Sequence, residues 1–170
     1  MISTLSASIP TTLERRIIGV LQSLCERSLS ISTAESCTGG LFASVFTDVD
    51  GLGHAFERGF VTYSEAAKSQ DLAVPADLLA LYSAVSHEVA GAMAAGALSR
   101  SGSDVALAVT GYAGPAGPDD EEGLVFIALA DRQGTSRCSE HHFGSVGRGA
   151  VRLAALDAGI AMLEAWLDDI

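Results

Sequence analysis

Ile31-Ser32-Thr33-Ala34-Glu35-Ser36-Cys37-Thr38-Gly39-Gly40 is the stretch on which the reading of this chain turns. A short run of β-branched and small residues, read as a strand over 31–34, gives way to Ser-Cys-Thr-Gly-Gly, and a helix is expected to begin after Gly40. At a turn from strand to helix, the free N–H groups of the helix start face outward, where they can hold a phosphate or stabilise an oxyanion. The bland alternative is a Thr-capped helix with glycines for tight packing. The Gly-x-Ser-x-Gly elbow of α/β-hydrolases is absent.

Working outward, Leu13, Ile17, Leu21 and Leu24 recur at helical spacing ahead of the strand, with Ser28–Ser30 closing that helix. After it, 57–63 reads as a second strand and 64–73 as a short helix with Ser64 at its cap, and Pro75 opens another helical turn. Ser86 can cap a helix of small residues running to about Arg100, and 104–110 reads as a buried strand ending at Gly111. Two further strands, 124–130 and 136–143, are joined around Gly134. The last helix places Leu153, Leu156, Ile160, Leu163 and Leu167 on one face. About five strands interleaved with helices predict a three-layer α/β/α sandwich with a mixed sheet, parallel where helices join the early strands.

The chain has 170 residues, 48% of them hydrophobic and 18% charged, with 10 basic against 21 acidic side chains and a net charge of -11. With a mean hydropathy of +0.33 it can bury enough apolar surface to offset ordering entropy, so a single domain over residues 1–170 is expected. The longest apolar run, 124–130, is far short of the roughly 18 to 20 residues a bilayer helix needs, so no membrane partner is expected. Met1–Pro10 carries neither Lys nor Arg and no apolar core, which reads as no signal peptide and a cytoplasmic location. An acidic chain without a basic stripe argues against direct nucleic-acid binding. Cys25, Cys37 and Cys138 form an odd set without Cys-x-x-Cys spacing, which fits reduced thiols better than disulfides or zinc.

Of the 10 basic residues nine are Arg and one is Lys, Lys68. Arg keeps its proton near neutral pH, whereas a desolvated Lys can lose it and then accept a hydroxyl proton from a serine nucleophile, as His does in a triad. A solvated helix lysine is the ordinary alternative. Tyr63 ends the strand just before it. Thr110 and the Gly111 backbone, at the C-terminal end of a buried strand, lie where ligands of open α/β sheets bind, though Gly and Pro there also make plain turns. Arg148, near the start of the last helix, can clamp a phosphate or simply stand at the surface. His141 and His142 point to opposite faces of a strand, and the acidic run 119–122 lacks EF-hand spacing, so no metal is expected.

Taken in order, Ala-Glu-Ser-Cys-Thr-Gly-Gly at 34–40, Tyr-Ser-x3-Lys at 63–68, Val85-Ser86, Ala-Val-Thr-Gly-x-Ala-Gly-Pro at 108–115 and Arg-x-x-Val-Arg at 148–152 resemble the CinA C-terminal domain family over about residues 11–168. Members are known as competence-damage-inducible proteins, and several are nicotinamide-nucleotide amidohydrolases. The resemblance implies Ser36 as nucleophile, Lys68 as base with Tyr63 beside it, and Thr110 and Arg148 as contacts to a small pyridine nucleotide. It also implies a homodimer. With this reading, the backbone N–H groups at Thr38, Gly39 and Gly40 would face the oxyanion, and no cofactor is needed. The chain departs from the family in a shorter, acidic, lysine-free 116–122 loop, in Glu65 where Asn is usual, and in Gly147-Arg148 where Asp-Arg is common. The stand-alone form is therefore expected, without the molybdopterin-binding-like domain that precedes this one in many relatives. Two other readings stand beside the hydrolase: a non-catalytic nucleotide-binding or regulatory module, and a Cys37 thiol enzyme, which lacks a local His or resolving Cys.

Overall fold

A computed structural model describes residues 9–170. The N-terminal stretch on which the signal-peptide reading rests lies, but for its last two residues, outside them. Five strands order as β2-β1-β3-β4-β5, with β1 at Ile31–Glu35, β2 at Phe56–Val61, β3 at Val105–Gly111, β4 at Leu124–Asp131 and β5 at Ser136–His142. β1 runs parallel to both β2 and β3, whereas β4 pairs antiparallel with β3 and with β5. The mixed sheet is the one expected, because a helical crossover is needed only between the parallel strands. Strand ends differ from the sequence reading by one or two residues; the start expected at Glu57 falls at Phe56, and its end at Val61 leaves Tyr63 outside the strand.

Helices cover both faces. α1 (Thr11–Glu26), α2 (Leu41–Thr47) and α6 (Arg148–Asp168) pack on one side, and α3 (Glu65–Leu72), α4 (Ala76–Tyr82) and α5 (His87–Ser101) on the other. The alternation of strand side chains sorts them by size. Val105, Leu107, Val109, Val125, Ile127 and Leu129 face α1 and α6, while Ala34, Ala106, Ala108, Ala128 and Ala130 face α5. α5 answers with Ala90, Ala94 and Ala97, so small residues on both surfaces let this helix lie close to the sheet. Gly96 extends the effect: a β-carbon there would lie 2.0 Å from the Leu72 carbonyl oxygen, so its absence lets α3 seat against α5. α3 in turn carries Lys68.

α6 corrects one detail of the periodicity. Its buried face is Val151, Ala155, Leu156, Gly159, Ile160, Leu163, Trp166 and Leu167, and Leu153, expected on that face, is only half-buried. The apolar set at 3.6-residue spacing is centred on Leu156 and Ile160, and Leu153 lies off its edge.

Candidate active site

β1 and β3 end side by side, and the main chain is held in the sheet for one residue past β1. Thr62 N–H donates to the Glu35 carbonyl at 2.8 Å and Ser36 N–H donates to the Val109 carbonyl at 3.0 Å. Strand alternation then sends Glu35 and Ser36 to opposite faces. Ser36 points toward α3, where Lys68 Nζ stands 3.1 Å from its Oγ and donates to the Thr62 carbonyl at 2.8 Å. α3 begins where expected: Ser64 Oγ caps it by accepting from Ala67 N–H at 3.1 Å.

Lys68 is 1% exposed and Ser36 7%. Burial drives the Lys68 amine below its ordinary pKa, with Cys37 and Glu65 pulling weakly the other way. Among the described residues neither hydrogen-bonding partner of Nζ is a carboxylate, so no direct ion pair opposes the effect of burial. A neutral Lys68 is an acceptor for the Ser36 hydroxyl proton. Cys37 is the reverse case: burial pushes its thiol up to about 11, which keeps it protonated near neutral pH. One further polar atom stands close by without a partner among the described residues, the buried Thr62 hydroxyl.

The turn after Ser36 differs from expectation. Gly39 and Gly40 take φ of +62° and +94°, a left-handed path open to glycine, so the chain can reverse into α2 within two residues. The N–H groups at its start are not free for an outside anion. Gly40 N–H donates to Glu35 Oε2 at 3.0 Å, Phe42 N–H to the same oxygen at 3.1 Å, and Ala43 N–H to Oε1 at 2.9 Å. Gly39 N–H donates to the Ser36 carbonyl at 3.1 Å, which leaves Thr38 N–H as the one of the three expected donors without an acceptor among the described residues. The Thr38 side chain does not cap the helix either, since its hydroxyl donates to Glu35 Oε2 at 2.7 Å.

The other candidates fall into two groups. Thr110 Oγ1 donates to the Ala84 carbonyl at 2.7 Å and is fully buried, so its hydroxyl is engaged within the fold. Gly111 is required by the strand pairing itself, because a β-carbon there would meet the Leu124 carbonyl oxygen at 2.6 Å. Tyr63 is 67% exposed and makes no hydrogen bond to Lys68 among the described residues. Arg148 is exposed at the first residue of α6. Arg152, one turn on, reaches the loop instead. Its Nε donates to the Cys37 carbonyl at 2.8 Å, and its guanidinium borders a cleft of about 350 Å³ shared with Thr38, Gly39, Gly40, Leu41 and Ser44. Glu35 and Arg152 are side chains of this site that the residue-by-residue reading passed over. For Glu35 a signal was present: a carboxylate in a buried strand must find donors, and a helix start lies a few residues away.

Among the described residues no three His, Cys, Asp or Glu side chains gather as a metal site, and no helix is long and apolar enough to cross a membrane. Cys25, Cys37 and Cys138 are free thiols.

A mixed α/β sheet carrying a buried Ser–Lys pair at the ends of its parallel strands defines an α/β domain of the kind that can perform nucleophilic chemistry. The model of the CinA C-terminal domain matches residues 13–167, and the chain belongs to that family. A CinA-like protein of Geobacter sulfurreducens is 51% identical over 129 residues, which make up 75% of this chain and 31% of that protein. One from Syntrophus aciditrophicus is 43% identical over 146 residues, 85% of this chain and 34% of that protein. The chain thus spans about a third of the length of these curated relatives. Solved structures of similar length also match: the competence/damage inducible protein CihA from Agrobacterium tumefaciens is 40% identical with a TM-score of 0.90, over 94% of this chain and 98% of that one. A CinA superfamily protein from Klebsiella pneumoniae is 32% identical with a TM-score of 0.88, over 93% and 99% respectively.

Proposed function

We propose that this domain is an amide hydrolase of the Ser/Lys type, acting on the carboxamide of nicotinamide mononucleotide to give nicotinic acid mononucleotide and ammonia. The observation that carries the reading is the buried Ser36–Lys68 pair at 3.1 Å, on a lysine whose amine is driven toward neutrality. The family resemblance supplies the substrate. Ser36 Oγ attacks the carboxamide carbon while its proton passes to Lys68 Nζ. The tetrahedral adduct collapses with breakage of the C–N bond, Lys68 returns the proton to the leaving nitrogen, and ammonia departs. Water then attacks the acyl ester, giving a proton to Lys68, and as the C–Oγ bond breaks Lys68 returns that proton to Ser36 Oγ, freeing the carboxylic acid and restoring the neutral lysine. Thr38 N–H is the backbone donor left to face the oxyanion. This reading gives the phosphate to Arg152, which borders the cleft beside the turn, rather than to Arg148. The reaction as proposed uses no metal and no cofactor, and the protein is expected to act on the small nucleotide in the cytoplasm as a homodimer.

The test is ammonia release from nicotinamide mononucleotide by the purified chain, with Ser36→Ala as control. Turnover that Ser36→Ala abolishes supports the reading. A wild-type protein that binds the nucleotide without releasing ammonia would favour the regulatory-module alternative.

A further inference from the structure

Glu35 is 1% exposed, yet it carries a carboxylate, and the surroundings explain why it can stay. Five donors reach it: the Thr33 hydroxyl at 3.4 Å and, all within 3.1 Å, the Thr38 hydroxyl and the N–H groups of Gly40, Phe42 and Ala43. The four shorter bonds all come from the turn after Ser36 or from the first residues of α2. The residue therefore bonds forward across the nucleophile, tying the segment that follows Ser36 to the strand that precedes it.

That segment has few other anchors. Gly39 N–H bonds back to Ser36, Arg152 holds the Cys37 carbonyl, and two successive glycines lie between Thr38 and the helix. A Gly-Gly turn is permissive and, left alone, populates many conformations. We infer that Glu35 is the positioning residue of the Ser36–Lys68 pair: its carboxylate acts as an internal anion that fixes the Ser36–Gly40 turn and hence the Ser36 hydroxyl against Lys68. The same contacts explain why a substrate anion cannot take the α2 start, since those donors are already used. The inference rests on Ser36 being the nucleophile, as proposed above, but not on the identity of the substrate.

Glu35→Gln keeps the volume and breaks the logic. Whichever way the amide turns, its NH2 group faces N–H donors, toward Ala43 in one orientation and toward Gly40 and Phe42 in the other. The experiment compares wild type, Glu35→Gln, Thr38→Val and Thr38→Ser by thermal melting, by kcat and KM on nicotinamide mononucleotide, and by the rate at which a fluorophosphonate labels Ser36 with loss of fluoride. Expected for Glu35→Gln is a folded protein with kcat lower by about 10²-fold, KM within about threefold, and labelling slowed in parallel, as a displacement near 1 Å would give. Thr38→Val should lose about tenfold in both rates and Thr38→Ser should recover most of it, because only the hydroxyl donor is at issue. If Glu35→Gln fails to fold, the Thr38 pair carries the decision. Folded variants with kcat and labelling within about threefold of wild type overturn the inference, as does a loss confined to KM. A wild type that is labelled at Ser36 but does not deamidate the nucleotide overturns the substrate reading alone, and the labelling rates still judge Glu35. A wild type that neither turns over nor labels overturns both.

Discussion

A lysine with 1% exposure beside a serine hydroxyl is a costly placement, because a charged amine loses its hydration there. Burial offsets the cost by lowering its pKa, and the same shift suits the base role proposed for it. Activity should therefore rise with pH through a value below the ordinary amine pKa of about 10.4 and level off above it. Arg in its place stays protonated, so Lys68→Arg should lose about as much as Lys68→Ala, on the order of 10²-fold or more in kcat. Measuring kcat of both from pH 6 to 10, with circular dichroism to confirm folding, checks this; substantial rescue by Arg would remove the general-base role. Cys37, next in sequence, is protonated near neutrality, so Cys37→Ala should keep most of the activity that Ser36→Ala abolishes. The opposite ranking would move the nucleophile to sulfur.

Between elements, the pair depends on how closely α3 and α5 approach. Gly96→Ala would press a β-carbon to 2.0 Å from the Leu72 carbonyl oxygen and must move one helix off the other. The expected outcome is a loss of about 1–3 kcal/mol in stability, as overpacking gives, together with a fall in kcat, because α3 carries Lys68 away from Ser36. Gly91→Ala on the same helix, with nothing within 4 Å of its built β-carbon, should leave kcat unchanged and raise stability by up to about 1 kcal/mol through helix propensity, and urea melts with kcat measurements separate the two. α6 offers a comparison of its own. Arg152→Ala should raise KM for the phosphorylated nucleotide much more than for the riboside, while Arg148→Ala should do so weakly, since only Arg152 reaches the turn after Ser36. An equal effect on nucleotide and riboside would take Arg152 out of the phosphate role.

On the scale of the whole molecule, the end of the sheet away from Ser36 is tied to α6 by Trp166 Nε1, which donates to Asp131 Oδ2 at 2.8 Å. Burial pushes the Asp131 carboxyl up, and the bonds from Trp166, Thr135 and Gln133 outweigh it, leaving the group below its ordinary pKa. A depressed carboxyl contributes stability above its unfolded pKa, about 3.9, and loses it as pH falls through the folded value. Trp166→Phe should thus cost about 1–3 kcal/mol at pH 7, with the gap to wild type narrowing below about pH 4, and should leave kcat within about twofold. Urea melts at pH 7 and pH 3 measure the gap; a constant difference would show that packing alone is at stake. Arg16 adds a second tie between α1 and α6 through Glu164, at 2.7 Å on a partly exposed pair.

Local chemistry was enough to read the elements. The buried runs at 31–34, 104–110 and 124–130 announce strands, Ser64 and Ser86 announce helix starts, and five strands with helices only between the first three give a parallel half and an antiparallel half of one sheet. The motif Ala-Glu-Ser-Cys-Thr-Gly-Gly marks the family, and Lys68 stands out as the only lysine. Neither local spacing nor composition states that Ser36 and Lys68 meet, because the contact spans 32 residues and is made by α3 settling on α5 over Gly96. Tertiary structure likewise decided which donors are free. The α2 start looked open to an oxyanion or phosphate until the Glu35 side chain, turned to the face opposite Ser36 by strand alternation, filled it. The same holds for the two arginines of α6: they stand four positions apart in sequence, but only the packing of α6 against the sheet brings Arg152 to the Cys37 carbonyl and leaves Arg148 in solvent. Periodicity fixes which side of an element is apolar, while the distance and rotation between elements, set by side-chain volumes at their contact, fix which polar groups touch.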